Sequence, residues 1–196
     1  MLVIGNGESR KDIDINAIPG IKVGCNAIFR DYTNIDHIIC VDKRMVSEAI
    51  KAGANVRSNI YTREDWLHRF PKNQKIRQVP KLWYEGTKRA DEPFQWGSGP
   101  YAVLLAAKHD KVVNMLGFDL YGSAGKTNNI YKNTANYNTA DKRAVDPRYW
   151  IHQIAKIFEH YKKTEFNFYN DNFEMPEQWK CYVNLNLYKI NKITTE

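Results

Sequence analysis

The chain has 196 residues, of which 43% are hydrophobic and 13% aromatic. This length and composition indicate one folded domain with a substantial core and exclude a disordered chain. No apolar stretch approaches the roughly 20 residues that a membrane-spanning helix needs. The opening residues, MLVIGNG, carry no basic segment before the apolar run, so we expect neither a membrane span nor a signal peptide.

The net charge of +7 and the three cysteines bear on partners and compartment. A basic balance favours anionic partners such as nucleotides and phosphates. The 29 basic residues are scattered without long blocks, which argues against a nucleic-acid partner. An odd number of cysteines without metal-ligand spacing favours buried free thiols and a cytoplasmic location.

Strand-like apolar runs alternate with helical patterns along the chain. Strands are predicted at residues 2–4, 21–25, 37–41, 55–61, 111–116 and 165–169. Helices are predicted at residues 43–52, 99–109 and 148–162, the last preceded by Asp146 as N-cap and Pro147 at the first helical position. This alternation predicts an α/β fold, a Rossmann-like three-layer αβα sandwich with a mostly parallel sheet.

The predicted elements leave two segments to place. Residues 121–146, rich in Asn, Thr, Gly and Lys, have no periodicity, and a loop of that length in a compact domain is usually a lid or a binding loop. We call these residues the lid. Residues 1–170 are expected to form the domain, and residues 171–196 to be a C-terminal arm packed on it, although their pattern is also compatible with an edge strand.

Two phosphate-binding motifs are matched only in part. Gly125, Lys126 and Thr127 copy the end of a Walker A motif, but Leu120 stands where that motif needs its first glycine. An asparagine-rich segment follows in place of the required helix, so this is not a P-loop. Gly5-Asn6-Gly7 gives only the first half of a dinucleotide-binding fingerprint, which is a weak signal by itself.

Polar residues and glycines follow several of the predicted strands. Ligands of open parallel sheets bind beyond the carboxyl ends of the strands, so these positions are the candidate site. Gly97-Ser98-Gly99 opens a helix that is apolar nearly all round, and its free N–H groups suit an anion. The candidate ligand-binding residues at strand and helix ends are Gly5, Asn6, Gly7, Asn26, Asp42, Ser98, Gly99 and Asp119, with Tyr121 beside them.

Two blocks of the chain resemble the bacterial sialyltransferases of glycosyltransferase family 42. VIGNGES…DIDINAIPGIKVGCNAIF is similar to their opening strand, G-N-G-P-S turn and second strand ending in CN. WGSGPYAVLLAAKHDKVVNMLGFDLYG is similar to their block that begins with a serine-glycine pair and ends in D-F-Y. The same motifs occur more loosely in the archaeal 6-hydroxymethylpterin diphosphokinase-like family.

The family resemblance implies a role for individual residues. Asn6 and Asn26 match asparagines that hold the cytidine monophosphate (CMP) part of the sugar donor, and Ser98 with Gly99 matches a serine-glycine pair at that site. Tyr121 matches a tyrosine that hydrogen-bonds the phosphate of the leaving nucleotide. Tyr131, in the lid, is the candidate for the second phosphate-binding tyrosine. The family is tetrameric, which implies a possible homo-oligomer.

The chain departs from the family at several positions. Glu8 replaces the proline of the first turn, Asp42 replaces an asparagine, and the arginine before the serine falls on or near Gln95. The general-base histidine would fall near Val145, where no histidine exists. Asp146 and His152 are the candidate substitutes.

The resemblance implies a metal-independent glycosyltransferase without a cofactor. It would transfer sugar from a CMP-activated or other nucleotide-activated donor to a glycan acceptor, with Tyr121, Tyr131, Asp146 and His152 as catalytic candidates. One alternative is an inactive nucleotide-binding or accessory structural protein. Another is an Mg²⁺-dependent pyrophosphoryl transferase that uses Asp42 and Asp119.

Overall fold

A computed structural model describes residues 1–194 of the chain. The strands are β1 (Leu2–Ile4), β2 (Lys22–Cys25), β3 (His37–Ile39), β4 (Asn59–Thr62), β5 (Arg77–Gln78), β6 (Val112–Leu116), β7 (Glu165–Tyr169) and β8 (Leu185–Tyr188). The α-helices are α1 (Lys43–Lys51), α2 (Ala54–Arg57), α3 (Glu64–Leu67), α4 (Ser98–His109) and α5 (Arg148–His160). Short 3-10 helices fill several of the connections.

The strands form one sheet in the order β5-β4-β3-β2-β1-β6-β7-β8, and every neighbouring pair is parallel. The predicted α/β, Rossmann-like architecture is confirmed. From β1 the chain adds strands in one direction through β5, then returns to the other side of β1 with β6 and continues outward. The switch point of the sheet therefore lies between β1 and β6, where the crevice beyond the strand ends is the usual ligand position.

The sheet is covered on both faces because its central strands are apolar on both sides. Val3 of β1 packs in a core with α4 and α5, whereas Leu2 and Ile4, which point to the opposite face, pack in a second core with α1. Helix α4 runs against β1, β2, β3 and β6, and nearly all of its residues are buried. The helix is thereby fixed with its first turn at the carboxyl edge of the sheet.

The predicted strands are found with small changes at their ends, apart from the segment 55–61. There a single helical turn, α2, precedes β4, because Gly53 adopts a left-handed φ of 69° and starts a new turn after α1. The short edge strand β5 was not predicted. In the C-terminal segment, β8 pairs in parallel with β7 and is the edge strand of the same sheet. None of the helices in residues 1–194 has the length and apolar character to cross a membrane.

Candidate functional site

A cavity of about 170 Å³ lies at the switch point of the sheet. Its wall is formed by the ends of β1, β2 and β6, the first turn of α4, and two residues of α5, Trp150 and Ile154. The sequence-predicted residues that the structure brings together in this wall are Gly5, Asn6, Gly7, Asn26, Ser98, Gly99, Asp119 and Tyr121. They come from four separate stretches of the chain.

The turns after β1 and β6 touch each other through backbone atoms. The Gly5 N–H donates to the Leu116 carbonyl at 2.8 Å, and the Gly7 N–H donates to the Gly117 carbonyl at 2.9 Å. A Cβ on Gly5 would collide with the Gly117 carbonyl, and Gly117 has a left-handed φ of 73°. The close approach of the two turns therefore requires glycine at both positions.

Asp119, in the cavity wall, fixes the turn that follows β1. Its carboxylate accepts hydrogen bonds from the Ser9 N–H at 3.0 Å, from the Ser9 hydroxyl, and from the Asn170 side chain at 3.4 Å. A Cβ on Gly7 would collide with this carboxylate. With its oxygens used in this way, Asp119 positions the Gly5–Gly7 turn and is poorly placed to hold a metal ion.

Asn6 lies in the Gly5–Gly7 turn after β1, and its side chain points toward the end of β2. Its Nδ2 donates to the Cys25 carbonyl and to the hydroxyl of Tyr137, each at 3.3 Å. Its Oδ1 is buried and has no hydrogen-bond partner among the described residues. A buried amide oxygen costs free energy unless a water molecule or a ligand group donates to it.

Asn26 links the end of β2 to α4. It has a left-handed φ of 49°, which asparagine tolerates better than most residues, and its Oδ1 accepts from the Ser98 hydroxyl at 2.8 Å. The Ser98 hydroxyl in turn accepts from the Val41 N–H, just after β3, at 3.1 Å. Ser98 therefore ties two strand ends to the start of the helix.

The first turn of α4 presents backbone donors to the cavity. Gly97 precedes the helix, and no side chain caps it. The first N–H groups of a helix lack intrahelical acceptors, and the helix dipole adds partial positive charge there. Because Ser98 and Gly99 line the cavity, this end of the helix suits a phosphate or carboxylate group of a ligand.

Tyr121, the first residue of the lid, lines the cavity at its exposed side. Partial burial and the charge of Glu174 raise the pKa of its hydroxyl, so the phenol stays protonated near neutral pH. A protonated hydroxyl can donate to an anionic ligand. A second cavity of about 250 Å³ adjoins the first and shares Leu120, Tyr121, Asn128, Asn129 and Trp150 with it. The combined volume of the two cavities falls in the range of about 300–1,000 Å³ that is typical of small-molecule sites.

Tyr131 lies outside the cavity, in the second core. Its hydroxyl donates to Asp31 at 2.7 Å and accepts from the buried Arg10 at 3.2 Å. Burial, followed by the Asp31 carboxylate, raises the pKa of Tyr131. Arg10 also donates to the Gly5 carbonyl at 2.6 Å. Through Arg10, Tyr131 of the lid is therefore connected with the Gly5–Gly7 turn after β1.

The remaining predicted residues also lie away from the cavity wall. Asp42 caps α1 and is paired with Arg44 at 2.7 Å, an interaction that lowers the pKa of the carboxyl. Gln95 is partly buried, and its carbonyl accepts from Gln153. Asp146 is exposed at the start of α5, where its carboxylate accepts from the Arg148 N–H at 3.0 Å.

His152 is held on the side of α5 that faces away from the cavity. Its Nε2 lies 2.5 Å from Oδ1 of Asp91, a buried carboxylate that also accepts from the Tyr84 hydroxyl at 3.3 Å. Burial alone would raise the pKa of Asp91, but the hydrogen bond and charge of His152 outweigh it and lower that pKa. This pair holds the segment before α4 against α5.

Glu8, the residue that replaces proline in the first turn, is turned away from the cavity. Its carboxylate pairs with Lys132 of the lid at 2.5 Å, and its N–H donates to the Asn128 side chain at 2.8 Å. The negative charge is therefore neutralised by the lid. It does not lie in the wall that contains the helix N-terminus.

Sequence reasoning missed several residues of the wall. Asn128 and Asn129 lie in the lid, where only their asparagine-rich composition distinguished them. Trp150 and Ile154 lie on the apolar face of the predicted helix 148–162, and helical spacing does not distinguish a core face from a cavity face. Phe118 and Cys25 also lie in the wall, and burial raises the pKa of the Cys25 thiol to about 12.

Comparison of the chain with known proteins finds no matching family model, no matching curated protein and no matching solved structure. Within residues 1–194, no group of three or more His, Cys, Asp or Glu side chains is arranged to hold a metal ion.

Proposed function

We propose that the cavity at the switch point binds a nucleotide, and that the protein is a family 42-like glycosyltransferase that uses a nucleotide-activated sugar. The single observation that carries this proposal is the convergence at the β1–β6 crevice of Asn6, Asn26, the first turn of α4 and Tyr121. Their chemistry is complementary to a nucleotide: amides for ribose or base, backbone N–H groups for phosphate, and a phenol beside it.

In the proposed reaction, an acceptor hydroxyl attacks the anomeric carbon of the donor sugar. The bond from that carbon to the phosphate oxygen breaks, and the nucleoside monophosphate leaves. The N–H groups at Ser98 and Gly99, with the Tyr121 hydroxyl, stabilise the negative charge of the leaving phosphate without a metal ion. The acceptor proton passes to a general base.

Asp146 is the better placed of the two candidate bases. It directly follows Val145, which lines the second cavity, whereas His152 faces Asp91 on the other side of α5. The hydrogen bond from the Arg148 N–H is the main factor that lowers the pKa of Asp146, which weakens it as a base. We therefore expect slow transfer, because a poor general base costs about 10²–10⁴-fold in rate.

Isothermal titration with CMP, UMP, AMP and ATP, each in EDTA and in Mg²⁺, tests the binding step. We expect CMP or another nucleoside monophosphate to bind equally well in both buffers. Absence of binding for every nucleotide would contradict the site. Binding that requires Mg²⁺ and ATP would instead favour the pyrophosphoryl transferase, although Asp42 and Asp119 are already engaged by protein donors.

Hydrolysis of CMP-sialic acid separates an enzyme from an inert binder. We expect slow release of CMP by the wild-type protein and a loss of about 10²-fold in Tyr121→Phe, because one donor to the leaving phosphate is removed. Tyr149→Phe, at an exposed position on α5, is the matched control. Tight CMP binding without any hydrolysis would identify the protein as a binding module.

A further inference from the structure

Tyr137 extends from the lid into the carboxyl edge of the sheet. Its hydroxyl accepts hydrogen bonds from Asn6 Nδ2 and from the backbone N–H of Ala27, each at 3.3 Å. Asn6 lies two residues beyond the end of β1, and Ala27 lies two residues beyond the end of β2. Tyr137 lines the second cavity, and its hydroxyl engages donors just beyond two adjacent strands, one of them on Asn6 in the wall of the first cavity.

The lid is built to direct this side chain inward. Asn136 has a left-handed φ of 66°, a conformation that asparagine adopts more readily than most residues. The Tyr137 ring then lies 5.5 Å from the ring of Tyr131 and 5.6 Å from the guanidinium of Arg30. Burial raises the pKa of the Tyr137 phenol, so its proton is retained.

The Tyr137 hydroxyl satisfies only part of the hydrogen-bonding capacity of Asn6 and its neighbours. The hydroxyl accepts from two donors, yet no donor in residues 1–194 reaches the buried Oδ1 of Asn6, on the same amide. A ligand group with a hydrogen-bond donor beside an acceptor would satisfy Asn6 Oδ1 together with the two N–H groups. Adjacent ribose hydroxyls and the amide-like edge of a nucleobase both have that arrangement.

The contacts that hold this part of the lid lie near solvent. Arg30 pairs with Glu48 of α1 at 2.6 Å and donates to Thr134 and to the Ala135 carbonyl. Asn136 donates to the other oxygen of Glu48 at 2.8 Å. The bonds of Arg30 to Thr134 and Ala135 and of Asn136 to Glu48 are exposed and contribute little to stability, whereas the Arg30–Glu48 pair is half-buried. Release of Tyr137 therefore costs mainly its own hydrogen bonds and its packing against the second core.

We propose that Tyr137 is an internal occupant of the ligand site, and that a ligand must displace it to reach Asn6 and the Ala27 N–H. The identity of the ligand as a nucleotide rests on the proposed function, whereas the occupancy rests on the contacts of Tyr137. A site that is open only part of the time binds its ligand more weakly by that fraction. Tyr137 therefore lowers the apparent affinity.

The test compares CMP binding by the wild type, Tyr137→Phe and Tyr137→Ala, with Tyr182→Phe as control. Tyr182 packs on Phe158 in the other core, away from the lid. We expect CMP to bind about 3–10-fold more tightly to Tyr137→Phe, since two hydrogen bonds of the occupied state are lost. Tyr182→Phe should match the wild type. Equal or weaker binding by both Tyr137 variants would overturn the proposal.

Cysteine labelling provides a readout that does not depend on any nucleotide. Cys25 lines the cavity, Cys40 is buried and outside its wall, and Cys181 is exposed. With N-ethylmaleimide, we expect Tyr137→Ala to label at Cys25 at least several-fold faster than the wild type, with unchanged labelling of Cys181. Faster labelling of Cys40 as well would indicate general loosening and would count against the proposal.

The two readouts separate the possible failures. If no variant binds a nucleotide, the proposed function fails, and the labelling of Cys25 alone decides whether Tyr137 occludes the cavity. An unchanged Cys25 rate in Tyr137→Ala would then overturn the occupancy. If CMP binds all variants equally, the occupancy fails while the nucleotide site stands. Tyr137→Phe keeps the ring and serves if Tyr137→Ala does not fold.

Discussion

The hydroxyl of Ser98 donates a 2.8 Å hydrogen bond to Oδ1 of Asn26, although 72 positions separate the two residues. This bond joins the end of β2 to the first turn of α4 and so holds an amide side chain and a helix N-terminus in one wall of the cavity. The arrangement of the candidate site depends on such cross-chain contacts more than on any single motif.

Replacement of Ser98 by alanine should therefore affect both stability and ligand binding. The change removes the donor to Asn26 and leaves the Val41 N–H without its acceptor, which typically costs about 1–3 kcal/mol. Urea unfolding should show this loss in Ser98→Ala, and CMP affinity should fall several-fold. Ser47→Ala, at an exposed position of α1, should leave both unchanged. An unaltered midpoint for Ser98→Ala would contradict the bracing role.

Asn6→Ala should weaken nucleotide binding with a smaller effect on stability. The variant loses the amide that we assign to the ligand, yet it also removes a buried Oδ1 without a partner, so the two effects on folding partly offset each other. We expect at least a tenfold rise in the CMP dissociation constant by calorimetry, which corresponds to about 1.4 kcal/mol. Asn16→Ala, exposed in a nearby 3-10 helix, is the control and should bind as the wild type does.

Asp119→Ala should destabilise the fold, because its carboxylate accepts from both the N–H and the hydroxyl of Ser9. Loss of hydrogen bonds to a charged acceptor is worth about 1.5–3 kcal/mol each, with partial compensation by water at this edge. We expect chemical denaturation to show a loss of about 2 kcal/mol or more. Asp12→Ala, an exposed carboxylate, should change the midpoint little. Similar stability of the two variants would mean that Asp119 does not anchor the turn.

The Asp91–His152 pair should make stability depend on pH in the acid range. The pKa of Asp91 is lowered in the folded protein, so the pair contributes stability above the unfolded value of about 3.9. That contribution disappears as the pH falls through the lower, folded value. The difference in unfolding free energy between the wild type and Asp91→Asn should be about 1–3 kcal/mol at neutral pH and should shrink below about pH 4.

The pH experiment has a clear control. Asp12→Asn removes an exposed carboxylate, so its small difference from the wild type should not vary over the same range. A difference between wild type and Asp91→Asn that stayed constant from pH 7 to pH 3 would show that ionisation of Asp91 is not what the pair depends on.

Much of the fold could be predicted from local patterns. The apolar run that follows His37 in β3 predicts a buried strand, and the apolar run of α4 predicts a helix that is buried nearly all round. The sequences of the edge strands β5 and β8 have no comparable apolar run that would predict them. β8 has the sequence LNLY, and its parallel pairing with β7 is accompanied by side-chain bonds from Asn186 to Asn167 and from Asn167 to Asn114. Sequence periodicity does not reveal these bonds.

The candidate site could be predicted in part, for a topological reason. Asn6, Asn26 and Tyr121 each follow a parallel strand, and parallel strands end at one edge of the sheet, so their proximity follows from the fold. The position of Tyr131 could not be inferred, because it depends on the path of the lid and on the buried Arg10. Tyr137, six residues further along, reaches the strand ends in its place.

A crystal structure with CMP, grown or soaked in EDTA, tests the central claim most directly. We predict that CMP lies in the crevice between β1 and β6, with its phosphate at the N–H groups of Ser98 and Gly99 and its nucleoside against Asn6, from which Tyr137 has moved. CMP bound at any other surface, or an empty crevice at millimolar CMP, would contradict the nucleotide site.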